Sequence, residues 1–259
     1  MRKLHKLAIL MALIIFASAS FVRSSFQSPT QAVILPTHSG YINDYGYFYV
    51  VGEVQNVGDT PIENVNVTAT FYDSNGEFVA FGNGSATLEV ILPGRKSPFE
   101  ITLYSSLDSL RVHNYTLSAT FSQADDKPLG LEILSNSSLA DSDGFHVTGE
   151  IKNVGSEYTA FVRVIATFYN ESGYAIATKF SYSNPKNLSP NQTAQFEILL
   201  NTSVASKVDH YTLEAESWQY ALIPEFNMTH LLAMLIAATA ICININKAKE
   251  KRIAKLRAV

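Results

Sequence analysis

Cysteine is almost missing from this chain: Cys242 is the single one among 259 residues. No disulfide can close within the chain, so a small disulfide-stapled scaffold is excluded. The same shortage excludes Cys-ligated metals and cysteine nucleophiles from the body of the chain. Charge is scarce too, at 16% of residues against 47% apolar, which excludes a disordered polar chain. Basic residues are rare between the ends. Residues 20–230 hold 10 basic and 22 acidic side chains, and such a body lacks the basic stripe that nucleic acid requires. Long apolar runs occur only at the two termini, so the chain is not polytopic.

The motifs of familiar chemistry are absent as well. There is no Gly-rich phosphate loop, no Gly-x-Ser-x-Gly elbow and no pair of carboxylates in a catalytic setting. None of His38, His113, His146, His210 and His230 sits at a metal-ligand spacing. The sequence predicts no enzyme, no cofactor and no metal ligand. Amphipathic helical periodicity is also lacking between residues 30 and 220.

What is present starts at the ends. Arg2, Lys3 and Lys6 precede the apolar run Leu7 to Phe16, and Ala17-Ser18-Ala19 follows. This reads as a signal peptide over residues 1–19, with an uncleaved N-terminal anchor as the alternative. At the other end Leu231 to Ile243 is apolar and is interrupted by Asn244 and Asn246. Lys247, Lys249, Lys251, Arg252, Lys255 and Arg257 follow it, the signature of a cytoplasmic flank. Residues 221–259 therefore read as a C-terminal membrane anchor with a basic cytoplasmic tail. The predicted location is the cell membrane, single-pass, with the bulk of the chain extracellular.

Asn-x-Ser/Thr triplets agree with export. They fall at Asn66, Asn83, Asn114, Asn136, Asn170, Asn187, Asn191, Asn201 and Asn227, which is nine of seventeen asparagines. Ser and Thr fill only about one position in six, so the triplets exceed chance. All nine lie between the terminal elements, where N-glycan transfer takes place.

The body is a duplication. Gly52-Glu53-Val54-Gln55-Asn56-Val57-Gly58 matches Gly149-Glu150-Ile151-Lys152-Asn153-Val154-Gly155 at an offset of 97. At that offset Ala69-Thr70-Phe71-Tyr72-Asp73 matches Ala166-Thr167-Phe168-Tyr169-Asn170, Gly76 matches Gly173 and Pro93 matches Pro190. After a one-residue deletion Tyr115-Thr116-Leu117 matches Tyr211-Thr212-Leu213. A unit of this size can bury its own core, so these are domains and not solenoid repeats.

Each repeat reads as β. Val65, Val67, Ala69 and Phe71 alternate with Asn64, Asn66, Thr68 and Thr70, and Val162, Val164, Ala166 and Phe168 take the same inward places. Period two predicts a half-buried strand with one face on a core. Gly76 and Gly173 suit hairpin turns. About seven short strands per unit, split by turn signals, predict an all-β chain of two tandem immunoglobulin-like sandwiches. The expected bounds are 30–123 and 129–220, with a linker over 124–128.

These residues carry a resemblance. Gly-Glu-hydrophobic-x-Asn-x-Gly, then an alternating strand ending in Phe-Tyr-Asp-x-x-Gly, resembles the FxLYD domain of prokaryotic surface proteins. Asn170 stands where that pattern has Asp. CARDB-type adhesion sandwiches share a similar Asn-x-Gly turn. Either resemblance implies an exported, Ig-like, non-catalytic module. Pro224-Glu225-Phe226 before the C-terminal apolar run resembles the PEF-CTERM sorting signals of archaeal surface proteins, which implies removal of the tail by a sortase-like transpeptidase. Asn227 stands where a second Pro is often found, and a plain tail anchor remains the alternative.

Three features are candidates for ligands. Asp141-Ser142-Asp143-Gly144 resembles the start of a calcium loop without its later Glu, and Asp125 and Asp126 lie nearby in sequence. His113 and His210 both stand beside the Tyr-Thr-Leu segment. Tyr41, Tyr45, Tyr47, Phe48 and Tyr49 form an aromatic cluster with stacking potential for sugar rings. The expected function is structural, adhesive or partner-binding at the cell surface, with other envelope proteins as partners and no nucleic acid. The alternative is a sugar- or calcium-binding accessory subunit of an envelope complex.

Overall fold

The computed structural model describes residues 31–224. The expected signal peptide, Glu225, Phe226, Asn227 and the C-terminal apolar run lie outside the described residues. No helix among the described residues is long and apolar enough to cross a membrane.

The described chain is almost wholly β. In the first repeat, β1 (Ala32–Ile34), β2 (Ser39–Ile42) and β7 (Lys96–Leu103) all pair with β3 (Phe48–Asn56). The facing sheet is built on β4 (Ile62–Tyr72), which pairs with β5 (Phe78–Ser85), β6 (Val90–Ile91) and β8 (Asn114–Gln123). A single helical turn, α1 (Ser106–Ser109), leads into β8. It is capped by Ser105, whose hydroxyl accepts from the Asp108 N–H.

The second repeat repeats this plan. β10 (Phe145–Asn153) pairs with β9 (Leu129–Ala140) and β13 (Thr193–Leu200), and β11 (Arg163–Tyr169) pairs with β12 (Ala175–Tyr182) and β14 (His210–Glu216). Here β15 (Ala221–Leu222) lies antiparallel to β14 and parallel to β9, so it joins the two halves into one seven-stranded sheet.

The repeated motif has a physical reason. Asn56 and Asn153 are fully buried at equivalent corners. The Asn56 amide donates to the Thr60 and Ile91 carbonyls, both at 2.8 Å, and accepts from the Gly58 N–H at 3.0 Å. Asn153 donates to the Glu157 and Leu188 carbonyls and accepts from Gly155 N–H with the same geometry. A side-chain amide is needed because it supplies two donors and an acceptor to a buried turn. The Phe-Tyr-Asp/Asn turn is equally specific. Asp73 Oδ1 accepts from the N–H groups of Asn75 and Glu77, and Asn170 Oδ1 from those of Ser172 and Tyr174. Gly76 and Gly173 have φ of 78° and 77°, a region that L residues avoid.

The inward alternation is as expected in both repeats: Val67, Ala69, Phe71, Val162, Val164, Ala166 and Phe168 are all inaccessible. The half-buried expectation holds for β4 and fails for β11. Ile165, Thr167 and Tyr169, on the other face of β11, are buried as well. The cause is the first sandwich, which lies against β11 and β12. Ile165 packs with Ala32, Val54, Ile62, Val65, Leu88 and Ile91 of the first repeat.

That junction is polar as well as apolar. Glu216, buried to 2% exposure, is paired by Arg163 and by Lys127 at 3.3 Å, and accepts from the Glu89 N–H at 3.1 Å. Arg163 also donates to the Thr87 carbonyl, and Arg95 pairs with Glu214 while donating to the Leu222 carbonyl. The expected linker over 124–128 is thus fastened. Lys127 is buried, Ala124 N–H donates to the Pro61 carbonyl, and Ala221 N–H donates to the Pro128 carbonyl.

Candidate functional site

The junction leaves a cleft on one side. It holds about 380 Å3 and is walled by Tyr41, Tyr45, Tyr47, Tyr49 and Tyr104 of the first sandwich. Thr178, Lys179 and Thr202 of the second close it. Local rules put the tyrosines there. β2 and β3 are joined by a tight hairpin in which Asn43 Oδ1 accepts from the Tyr45 and Tyr47 N–H groups, with Gly46 at φ 78°. Tyr41 and Tyr49 are then cross-strand partners with rings 5.4 Å apart, edge to face. Tyr47 and Tyr104 meet in the same way at 5.6 Å. Phe48, the fifth member of the cluster expected from sequence, points into the core beside Phe71.

Hydrogen bonds fix the wall. Tyr49 OH donates to Glu100 Oε2 at 2.6 Å, and Tyr41 OH crosses the junction to the Ile176 carbonyl at 2.7 Å. Asp44 Oδ2 accepts from the Ser203 N–H of the second sandwich at 2.9 Å. Burial, then the charge of Glu100, pushes the Tyr49 phenol well above its ordinary range, and burial followed by Asp44 does the same for Tyr41. Both remain neutral donors. The Ser203 hydrogen bonds hold the Asp44 carboxyl below its usual range, the opposite of what a general acid needs. Thr202 Oγ1 is buried in the cleft without a hydrogen-bond partner among the described residues.

Such a site offers flat aromatic rings, carboxylates and hydroxyls side by side. That set suits a neutral ring with an apolar C–H face and a hydroxyl edge. A wider open groove of about 970 Å3 crosses β9, β10 and β13, but Ser135, Asn136, Ser137, Thr148, Glu150 and Glu197 make it polar.

The other candidates resolve differently. Asp141 Oδ1 accepts from the Asp143 N–H in the β9–β10 turn and meets His146 at 3.3 Å. No group of three or more His, Cys, Asp or Glu side chains among the described residues is arranged to hold a metal. The buried acid of the junction, Glu216, already has Lys127 and Arg163 as its cations. His113 and His210 are not equivalent: β4 pairs Tyr72 with Asn114, whereas β11 pairs Tyr169 with His210, which stacks on that ring at 4.8 Å.

None of the eight described triplet asparagines is buried. Asn83, Asn114, Asn136, Asn191 and Asn201 are exposed, and Asn66, Asn170 and Asn187 are half-buried. Pro224, the first residue of the tripeptide, is exposed at the end of the described chain.

No family model and no curated protein matches the chain. Among solved structures it is similar to a transglutaminase of red sea bream, at 9% identity over 74% of this chain and 30% of that one, with a TM-score of 0.24. It is also similar to a Bacteroides uniformis beta-glucuronidase 2, at 13% identity over 70% of this chain and 25% of that one, with a TM-score of 0.26. The chain thus spans under a third of the length of either protein.

Proposed function

We propose that this chain is a membrane-anchored, extracellular, non-catalytic surface protein that serves an adhesive, structural or partner-binding role. The two sandwiches act as one stiff display body, N-glycosylated and held by the C-terminal segment. The observation that carries this reading is the junction itself. A buried ion cluster around Glu216 and the apolar contact at Ile165 turn two modules into a single presenting surface. The resemblance of both repeats to FxLYD domains, and of the C-terminus to a PEF-CTERM signal, supports the same reading. The test is the intact mass of the native chain from source membranes, before and after glycan removal. A glycosylated chain beginning near Ser20 and ending at Val259 is the expected result for an anchored protein. Loss of everything beyond Phe226 supports the sorting signal instead. An unglycosylated chain retaining Met1 overturns the export reading.

A second reading is favoured by the cleft: it binds a neutral glycan. Its support is the tyrosine wall together with the unpartnered Thr202 hydroxyl. Titration with neutral hexose oligosaccharides, followed by calorimetry, tests it. Tyr45→Ala and Tyr104→Ala, at exposed rings, are expected to weaken binding about ten-fold without unfolding the chain, since one stacked ring contributes about 1–3 kcal/mol. Equal binding by both variants sinks the reading.

A further inference from the structure

The second sandwich carries an exposed aromatic patch at the end of β14. Trp218, 66% exposed, lies 4.8 Å from Phe161, and Phe161 continues to Tyr182 at 6.4 Å and on to Phe180 at 5.9 Å from Tyr182. Lys186 sits over the Phe161 ring at 4.9 Å and Arg163 over the Phe180 ring at 5.4 Å. Phe161 adopts φ 55°, a left-handed conformation that a bulky residue rarely takes. A ring kept there asks for a reason.

The first repeat supplies the contrast. Its equivalents of Phe161, Arg163, Phe180 and Tyr182 are Asn64, Asn66, Asn83 and Ser85, on strands with the same register. Asn64 has the same positive φ, 53°, where Asn is at ease. Two of these four, Asn66 and Asn83, are glycan acceptors by sequence. At these four positions the first repeat is polar, although its outward face also carries the exposed Phe78 and Phe81 rings, whereas the second repeat is aromatic, with Lys186 exposed beside the rings and Arg163 committed to Glu216.

In chain order the second repeat is the one that adjoins the C-terminal apolar run. Trp218 precedes Leu231, the start of the C-terminal apolar run, by thirteen residues. Even fully extended these span at most about 45 Å. Trp and Tyr with a Lys beside them, as Lys186 stands here, are residues that settle at the headgroup level of a bilayer. We propose that the Trp218–Phe161–Tyr182–Phe180 patch rests on the lipid surface and so sets the orientation of the whole body on the membrane. The inference depends on the anchored reading above.

Trp218 is the only tryptophan, so its fluorescence reads this patch alone. The full chain is reconstituted into vesicles of phosphatidylcholine and phosphatidylglycerol, with and without bromination near the headgroup end of the acyl chains. The expected result is flotation with the vesicles, a blue-shifted emission and about two-fold quenching by the brominated lipid. Phe161→Asn with Tyr182→Ser, the residues of the first repeat, is expected to keep flotation and lose most of the quenching. A chain that does not float overturns the anchored reading and this inference together. A chain that floats with Trp218 unquenched overturns the lipid contact alone, as does protection of Trp218 by an envelope protein in its place. Glycan on Asn187 in the native chain also overturns it, because the Asn187 side-chain Oδ1 accepts from the Phe161 N–H at 3.1 Å.

Discussion

The two repeats share a framework and differ on one outward face, and the difference shows what holds them together. Asn56 and Asn153 make matching sets of hydrogen bonds, and the Asp73 and Asn170 turns superpose bond for bond. On the outward face of the long inner strand, Asn66 and Thr68 in the first repeat become Arg163 and Ile165 in the second. The pairing strand changes with it: Asn66 faces Thr120, whereas Arg163 faces Glu216. Substituting an ion pair and a branched aliphatic for three small polar residues turned a solvated sheet into half of a junction. The reverse change occurs on the partner sheet. Glu53 is buried under the second sandwich, while its equivalent Glu150 is exposed.

The most severe test of that comparison is Glu216→Ala. It leaves Arg163 and Lys127 without their shared carboxylate, and removal of one member of a buried pair costs about 3–5 kcal/mol. The matching change in the first repeat, Thr120→Ala at an exposed position, is expected within about 0.5 kcal/mol of the parent. Urea unfolding midpoints decide both, and equal shifts would break the claimed asymmetry.

Asn56→Ala and Asn153→Ala probe the shared part. Each strips a fully buried corner of its amide and strands two carbonyls, for an expected loss of about 2–3 kcal/mol in either repeat. Unequal losses would mean that the framework is not equivalent after all. Ile165→Thr, which restores the first repeat's residue, is expected to cost about 1–2 kcal/mol. Its mirror, Thr68→Ile, is expected to change stability by under about 0.5 kcal/mol, because Thr68 is part-exposed and loses only an exposed hydrogen bond to Asn83.

The smallest effect is a titration difference. Burial holds the His38 imidazole below its ordinary value, and its Nδ1 lies 2.8 Å from Tyr115 OH. The hydrogen bond to Glu197, aided by Asp141, raises His146 on the open face of the second repeat. Proton NMR is expected to find His146 titrating above about pH 6.5 and His38 below it. The signs follow from linkage. The stabilisation from charged His146 is fully present below about pH 6.5 and is lost as pH rises through its folded value. For His38 the unfolded chain binds the proton more tightly, so stability falls as pH drops below about 6.5. Coincident midpoints would erase this distinction between covered and open faces.

Much of this was legible in the residues. The offset of 97 announced the duplication, the period-two alternation of Val67, Ala69 and Phe71 announced the inward face, and the glycines at 76 and 173 announced the turns. Those features are local, set by backbone geometry and by which side of a strand meets a core. The tyrosine cluster was legible as aromatic but not as a wall. Its other half, Lys179 and Thr202, lies more than a hundred residues away, and Phe48 went to the core. His113 and His210 differ in place because the one-residue deletion lies ahead of the last long strand: the pairing register is kept, so His210 takes the position of Asn114.

The sequence by itself determined an all-β chain with two repeats, their turns and their inward strand faces, because each of these follows from spacing within a single repeat. The tertiary structure decided that the repeats are docked, that Glu216 is a junction acid, that the tyrosines close a cleft and that the rings around Trp218 form one patch. The physical reason is range: Glu216, Lys127, Arg163 and Glu89 come from four distant segments, and only the folded chain brings their charges and donors to one point.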